Sequence, residues 1–315
     1  MSSIPMPRRA TVLVLLATRD GERFLERQLA SVLSQDGVDV RVTVRDDGST
    51  DGTRALVAAR SALDPRVTLM DDHAPSGSAS ANFFALIHAA DLSGVDYVSL
   101  CDQDDEWMPS KLQRALAAMT TSCAQGYSAA VRAEWPDGRS KRLAQSPALR
   151  DADYLFEGAG QGCTFVLQSS LFARLRAMLD EHRPLLAELH FHDWALYALA
   201  RAQSARWHFD PEPTMLYRQH GGNDTGARNS GGGIARRLAL IRSGWYRAQV
   251  LAVTRLVHAV DPANDVAARW LRLTGDEVAG TMRDRAARAC FVARHGRRRG
   301  TDRCIQVAAA ALGYL

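Results

Sequence analysis

The first hundred residues alternate between two hydrophobic rhythms. Thr11–Ala17 (TVLVLLA) is an uninterrupted apolar run that charged residues soon follow, the pattern of a buried strand. It is far shorter than the roughly 20 residues a membrane-spanning helix needs, and it lacks the small-residue cleavage pattern of a signal peptide. Glu22–Ser34 then places Phe24, Leu25, Leu29, Val32 and Leu33 on one helical face. Val38–Val44 alternates and is β-branched, which predicts a second strand. A helix over Thr53–Ala62, a short strand at Arg66–Met70, a helix at Asn82–Ala90 and a strand at Tyr97–Cys101 follow. Strands alternating with helices predict an α/β fold with a mostly parallel sheet flanked by helices. Ligands of such sheets bind beyond the carboxyl ends of the strands.

The second half is less periodic. Residues 120–157 read as antiparallel strands or loops, Cys163–Leu167 as a strand, Ser170–Asp180 as a helix, and another helix begins near His192. Glycines at 221, 222, 226 and 231–233 predict a mobile loop. From Ile234 the chain is rich in Ala, Arg and Leu and reads as helical. The pattern divides the chain into an α/β domain over 1–228 and a mainly helical extension over 229–315.

Composition sharpens this division. A chain of 315 residues, 46% hydrophobic, buries a core large enough for one domain with an appendage. Its net charge of +4 is unevenly spread: residues 228–315 hold 16 Arg, no Lys and 6 Asp or Glu. That excess suits either solvated helical faces or an anionic neighbour such as a membrane surface or a lipid phosphate. The tail lacks the aromatic interleaving of a single-strand binder, so no nucleic acid is expected. Five cysteines without a CxxC pair point to a reducing, cytoplasmic setting.

Two acidic clusters fall at strand ends. Asp102-Gln103-Asp104-Asp105 follows Tyr97–Cys101, and carboxylates one residue apart at a strand end suit one hard cation, Mg²⁺ or Mn²⁺. The plainer reading is a polar turn with helix-capping carboxylates. Asp46-Asp47-Gly48-Ser49 ends the second strand, where Asp47 is placed to accept from a nucleotide base or ribose; an ordinary Asp-Gly turn is the alternative. His192-Asp193-Trp194 opens a helix, whose amino end favours an ionised Asp193, a candidate general base. Tyr217-Arg218-Gln219-His220 precedes the glycine-rich loop and offers Arg218 to a phosphate and His220 to a metal. No phosphate-binding P-loop or dinucleotide fingerprint occurs.

Taken together, these stretches resemble family 2 glycosyltransferases of the GT-A fold. The matching pieces are Ala17-Thr18-Arg19-Asp20-Gly21, Gln28–Gln35, Asp46–Thr53, Asn82-Phe83, Cys101–Pro109, Gly162-Cys163-Thr164, His192-Asp193-Trp194 and Tyr217–Asn223. The combination of CDQDD, HDW and YRQHG is most similar to the bacterial rhamnosyltransferase-type branch. The resemblance implies that Ala17, Thr18, Arg19, Asp47, Asn82 and Asp102 line the nucleotide-sugar together with Arg218. It implies metal ligation by Asp104, with Asp102 and His220. Asp193 would be the general base, and Gly162, Cys163, Thr164, His192 and Trp194 would border the acceptor. Arg19-Asp20 replaces the Tyr-Asn usual in the family, which bears on base preference.

The expected activity is therefore inverting transfer of a sugar, L-rhamnose among the candidates, from a dTDP-, UDP- or GDP-linked donor. The acceptor would be a hydroxyl of a saccharide or lipid-linked chain in cell-surface polysaccharide synthesis, with Mn²⁺ or Mg²⁺ as cofactor. Peripheral contact with an anionic membrane through the basic tail goes with this reading. The rivals are a sugar-1-phosphate nucleotidylyltransferase and a non-catalytic carbohydrate-binding protein on the same scaffold.

Overall fold

The computed structural model describes residues 8–145, 147–220, 238–275 and 280–315. At its centre lies β1 (Ala10–Thr18), paired in parallel with β2 (Val38–Asp46) on one side. β3 (Val67–Leu69) continues the sheet beyond β2, and β4 (Tyr97–Asp102) pairs in parallel on the other flank of β1. β6 (Gly126–Ala129), β9 (Val166–Gln168) and β10 (Trp207–Asp210) complete seven strands in the order β10-β6-β9-β4-β1-β2-β3, with β9 antiparallel to its neighbours. A second sheet, in the order β5-β11-β7-β8, joins β5 (Glu106–Trp107), β7 (Val131–Glu134), β8 (Ser140–Leu143) and β11 (Met215–Arg218).

The apolar run of β1 is explained by what covers it. Val12, Val14 and Leu16 pack into one core with α1 (Glu22–Leu33), α2 (Thr53–Leu63) and α4 (Lys111–Ser122). Leu13, Leu15 and Ala17 pack into the other, with α3 (Ala79–Ala89), α5 (Ser169–Glu181) and α7 (His192–Ala202). A strand covered on both faces has no polar side to show. Each such side chain contributes about 1.5–3 kcal/mol on leaving water.

The C-terminal helices enter this second core. α8 (Trp245–Val260), α9 (Asp265–Thr274), α10 (Met282–His295) and α11 (Gly300–Ala311) supply Val250, Trp270, Phe291 and Ala310 to the cluster that holds Phe156 and Leu196. Among the described residues no helix is long and apolar enough to cross a membrane. The boundary expected at 228/229 and the glycine-rich segment 221–233 lie outside the described residues.

One sequence expectation needs correction. Cys163–Leu167 is not one strand: Gly162–Thr164 forms a 3₁₀ turn and only Val166–Gln168 is extended. The turn is closed by Thr164 Oγ1 donating to the Gln161 carbonyl (2.8 Å) and Phe165 N–H to the Gly162 carbonyl (2.8 Å). Residues 120–157, after the last turn of α4, hold the expected antiparallel pair, β7 with β8, while Gly126–Ala129 pairs antiparallel with β9 and in parallel with β10. A small α6 (Arg183–Leu186) links α5 to α7.

Candidate functional site

The parallel register brings three strand ends level. Ala17 lies beside Arg45 on one flank and Asp102 on the other, and Thr18 lies beside Asp46. Gln103 fastens this edge: its Oε1 accepts from Thr18 Oγ1 (2.6 Å) and Arg19 N–H (2.7 Å), and its Nε2 donates to the Arg19 carbonyl (2.8 Å). Gly21 makes this approach feasible, since a Cβ there would sit 2.2 Å from Gln103 Oε1. Asp20 has a positive φ of 47°, a conformation in which Asp and Asn are enriched. Its Oδ1 accepts from Thr50 N–H (2.7 Å), so this half of the Arg19-Asp20 departure is a turn anchor. The Arg19 side chain is solvent-facing at the rim, 3.8 Å from Asp20 Oδ2.

Asp47 is buried at the end of β2. Its Oδ1 accepts from Arg45 (2.9 Å) and from Ser76 N–H (2.7 Å). Arg45 also donates to Asn82 Oδ1 (3.0 Å), which ties Asn82 into the same group. Sequence reasoning missed Arg45. It shares the outward parity of Arg41 along β2, so alternation marks it as exposed, whereas its side chain is 3% exposed.

Beyond β4 the acidic turn meets the second sheet. The pairing of β11 with β5 carries His220 to Asp104, with Nε2 2.6 Å from Oδ2, and the imidazole stacks on Phe24 at 4.9 Å. Arg218 donates to Glu106 (2.7 Å), which also pairs with Arg27 (2.9 Å). Asp105 is buried beneath the turn; neither oxygen meets a hydrogen bond of normal geometry. Burial, then the charges of Asp102 and Asp104, raise its carboxyl well above the usual range. Asp102, Asp105 and Cys163 offer ligand atoms within 4.8 Å of one another. Clustered carboxylates with one imidazole fit a hard divalent cation, which would relieve their mutual repulsion. Lys111, fully buried over the Trp107 ring at 3.6 Å, acts on Asp105 through its charge; burial pulls its ammonium down to about 8.

The third element is the amino end of α7. Asp193 is half-buried, and its Oδ1 accepts from Trp194 N–H (2.7 Å). Burial pushes its carboxyl up to about 6, against backbone hydrogen bonds from Trp194 and Gly162. The Gly162 turn touches both β4 and α7, joining the acidic turn to Asp193. A Cβ at Gly162 would lie 3.0 Å from Asp193 Cβ and from His192 Nε2, a tight fit that ties the turn closely to the start of α7. His192 stacks on Phe83 at 3.9 Å, and burial drives its pKa down to about 3, leaving the ring neutral. Cys163 and Thr164 are fully buried, and the Trp194 indole sits in the core donating to the Tyr154 carbonyl (2.8 Å). None of these three side chains is exposed.

Comparison with known proteins gives the family and the fold. The model of glycosyl transferase family 2 matches residues 13–182. A dTDP-rhamnosyl transferase, RfbG of Shigella flexneri, is 34% identical over 239 residues, 76% of this chain and 83% of its own length. Among solved structures, S. aureus TarS 1–349 in complex with UDP-GlcNAc superposes with a TM-score of 0.52 at 13% identity, covering 96% of this chain and 89% of that one. The mannosyltransferase PcManGT of Pyrobaculum calidifontis, with GDP-Man and Mn²⁺, gives 0.50 at 18% identity, covering 98% and 88%. The fold is GT-A, and the chain belongs to glycosyltransferase family 2, in its rhamnosyltransferase-type branch.

Proposed function

We propose that the chain is an inverting, divalent-metal-dependent glycosyltransferase that moves L-rhamnose from a dTDP-linked donor to a saccharide or lipid-linked hydroxyl. The observation that carries this reading is the pairing of two opposed chemistries across the Gly162 turn. One side is an acidic turn rich in charge; the other is a lone carboxylate tuned to about 6. A base works best with a pKa near the operating pH. The likeness to the dTDP-rhamnosyl transferase supports the choice of donor.

In this reading Asp47 and Asn82 hold the base and ribose, and Ala17, Thr18 and Arg19 form the floor and rim. Asp104, with Asp102 and His220, would hold Mn²⁺ or Mg²⁺, which would supply positive charge to neutralise the departing nucleoside diphosphate. Asp193 takes the proton of the acceptor hydroxyl as its oxygen bonds to the anomeric carbon. The bond from that carbon to the diphosphate oxygen breaks on the opposite face, so one displacement inverts the configuration. Neutral His192 and the Gly162–Thr164 turn border the acceptor. Arg218 reaches the diphosphate only by sharing or leaving Glu106. Such an acceptor would place the reaction in cell-surface polysaccharide synthesis, and exposed arginines of the C-terminal helices would suit peripheral contact with an anionic membrane.

A thermal-shift panel tests the donor assignment, because a ligand that binds only the folded state raises the melting temperature. dTDP-rhamnose, UDP-sugars and GDP-sugars are compared with Mn²⁺, Mg²⁺ and chelator. Stabilisation by dTDP-rhamnose that requires the cation is expected. Stabilisation by none of the donors sinks the reading.

A further inference from the structure

The arginine-rich tail need not serve only its surroundings, because part of it is turned inward. Arg298, just before α11, has a fully buried side chain. Its guanidinium donates to Asp153 Oδ2 (2.8 Å), to Tyr197 Oη (3.1 Å) and to the Gly158 carbonyl (2.7 Å), and lies 4.9 Å from the centre of the Phe209 ring. Its backbone N–H donates to Glu157. Neighbouring groups grip the same loop. Tyr246 Oη donates to the Phe156 carbonyl (2.6 Å), Arg299 donates to the Ala144 carbonyl, and Arg150 reaches back to the carbonyls of Ala293 and Arg294. From α7, Trp194 holds the Tyr154 carbonyl and Arg201 pairs with Asp153 (3.3 Å).

Residues 153–158 are thus held almost one by one, and four residues later comes Gly162, whose turn packs on Asp193. Buried ion pairs are a poor source of net stability compared with apolar packing. A planar fork with several fixed donors is, in contrast, well suited to fixing the position of a loop. We propose that Arg298 is a positioning residue: it clamps the 153–158 loop so that the Gly162 turn stands in register with Asp193. The C-terminal helices are then the back wall of the acceptor side. This inference rests on the reading of Asp193 as the base.

The test compares wild type with Arg298→Lys, which keeps the charge and loses the fork, and with Tyr246→Phe, which removes one bond to the same loop and leaves the buried ion pairs intact. Amide hydrogen exchange over 153–164 is expected to speed up in both variants, with β1 and β4 unchanged. With dTDP-rhamnose and Mn²⁺, water serving as acceptor, the rate of dTDP release is expected to fall on the order of 10–100-fold for Arg298→Lys at unchanged donor KM, the scale of a misplaced catalytic group. The acid limb of its pH profile moves upward, because the Gly162 N–H no longer stabilises the Asp193 carboxylate. Unchanged exchange over 153–164, or equal loss of donor affinity and rate, overturns the clamp. A wild type that releases no nucleoside diphosphate from any sugar nucleotide removes the activity reading, while the exchange arm still decides whether Arg298 holds the loop.

Discussion

The two ends of this site, which the proposed reading gives to donor and acceptor, are built from different material. At the donor end, Thr18, Arg19, Asp46, Asp47 and Asp102 sit where adjacent parallel strands stop, and the sheet register fixes their spacing. At the acceptor end, Asp193 and Gly162 stand on a helix start and a 3₁₀ turn, held by groups from far along the chain. Arg298 is 145 residues from its partner Asp153. Strand register sets the first case, and side-chain clamps on a loop and a turn set the second. A change at the donor end should therefore act where it is made, and a change behind the acceptor end should travel.

The largest effect expected at the donor end is that of Asp104→Ala. It leaves His220 without its carboxylate and strips the acidic turn of a ligand candidate. Outer-shell partners alone are worth about 10–100-fold in metal affinity, so a loss at least that large in Mn²⁺ affinity is expected by calorimetry. Asp193-side properties, read as amide exchange over 153–164, should not change. Coupled loss at both ends would break the comparison.

Behind the acceptor end, Asp153→Ala leaves Arg298 and Arg201 facing a missing carboxylate, and Asp153 is fully buried. Removing one partner of a buried pair costs about 3–5 kcal/mol. Urea unfolding should show a loss of that order; a change within experimental error would mean that the network is not closed as described. A smaller effect is expected from Gly21→Ala, which drives a methyl against Gln103 Oε1. Overpacking costs about 1–3 kcal/mol. The double variant with Gln103→Ala should lose less than the sum of the single losses, since the two residues share one contact. Strict additivity would show that Gln103 does not staple the edge.

The mildest test is pH. Asp193 acts as a base only when ionised, so turnover should be halved near pH 6 and fall about tenfold per unit below it. Stability runs the other way. A carboxyl raised from 3.8 to about 6 in the folded state contributes stability that is fully present below about 3.8 and lost as pH rises through about 6. Asp193→Asn should flatten both limbs over that window. A turnover profile flat from pH 5 to 7 in the wild type, a window chosen to bracket the shifted value, would contradict the assignment.

How much was legible in the sequence follows the same divide. The apolar run of β1, the alternation of β2 and the acidic turn after β4 are local patterns, and the sheet reproduces them to within a residue or two. The ordered motifs carried the family as well. Arg45 and Lys111 stayed hidden because nothing in their flanking sequence distinguishes a buried cation from a surface one. Cys163–Leu167 reads as a strand because it is mostly apolar, whereas the turn at Gly162–Thr164 packs against Asp193, a contact the local pattern does not carry. The inward turn of Arg298 leaves no local trace at all: a run of arginines reads as solvated charge until its partners, more than a hundred residues earlier, are known.

The central claim is that donor binding belongs to the strand ends and proton transfer to Asp193. It is tested most directly by Asp193→Asn, which keeps the acceptor oxygen for Trp194 and Gly162 but removes the base. With dTDP-rhamnose and Mn²⁺, nucleoside diphosphate release is expected to fall about 10²–10⁴-fold, with the donor affinity measured by calorimetry unchanged. Near wild-type release, or loss of donor binding in that variant, would contradict the account.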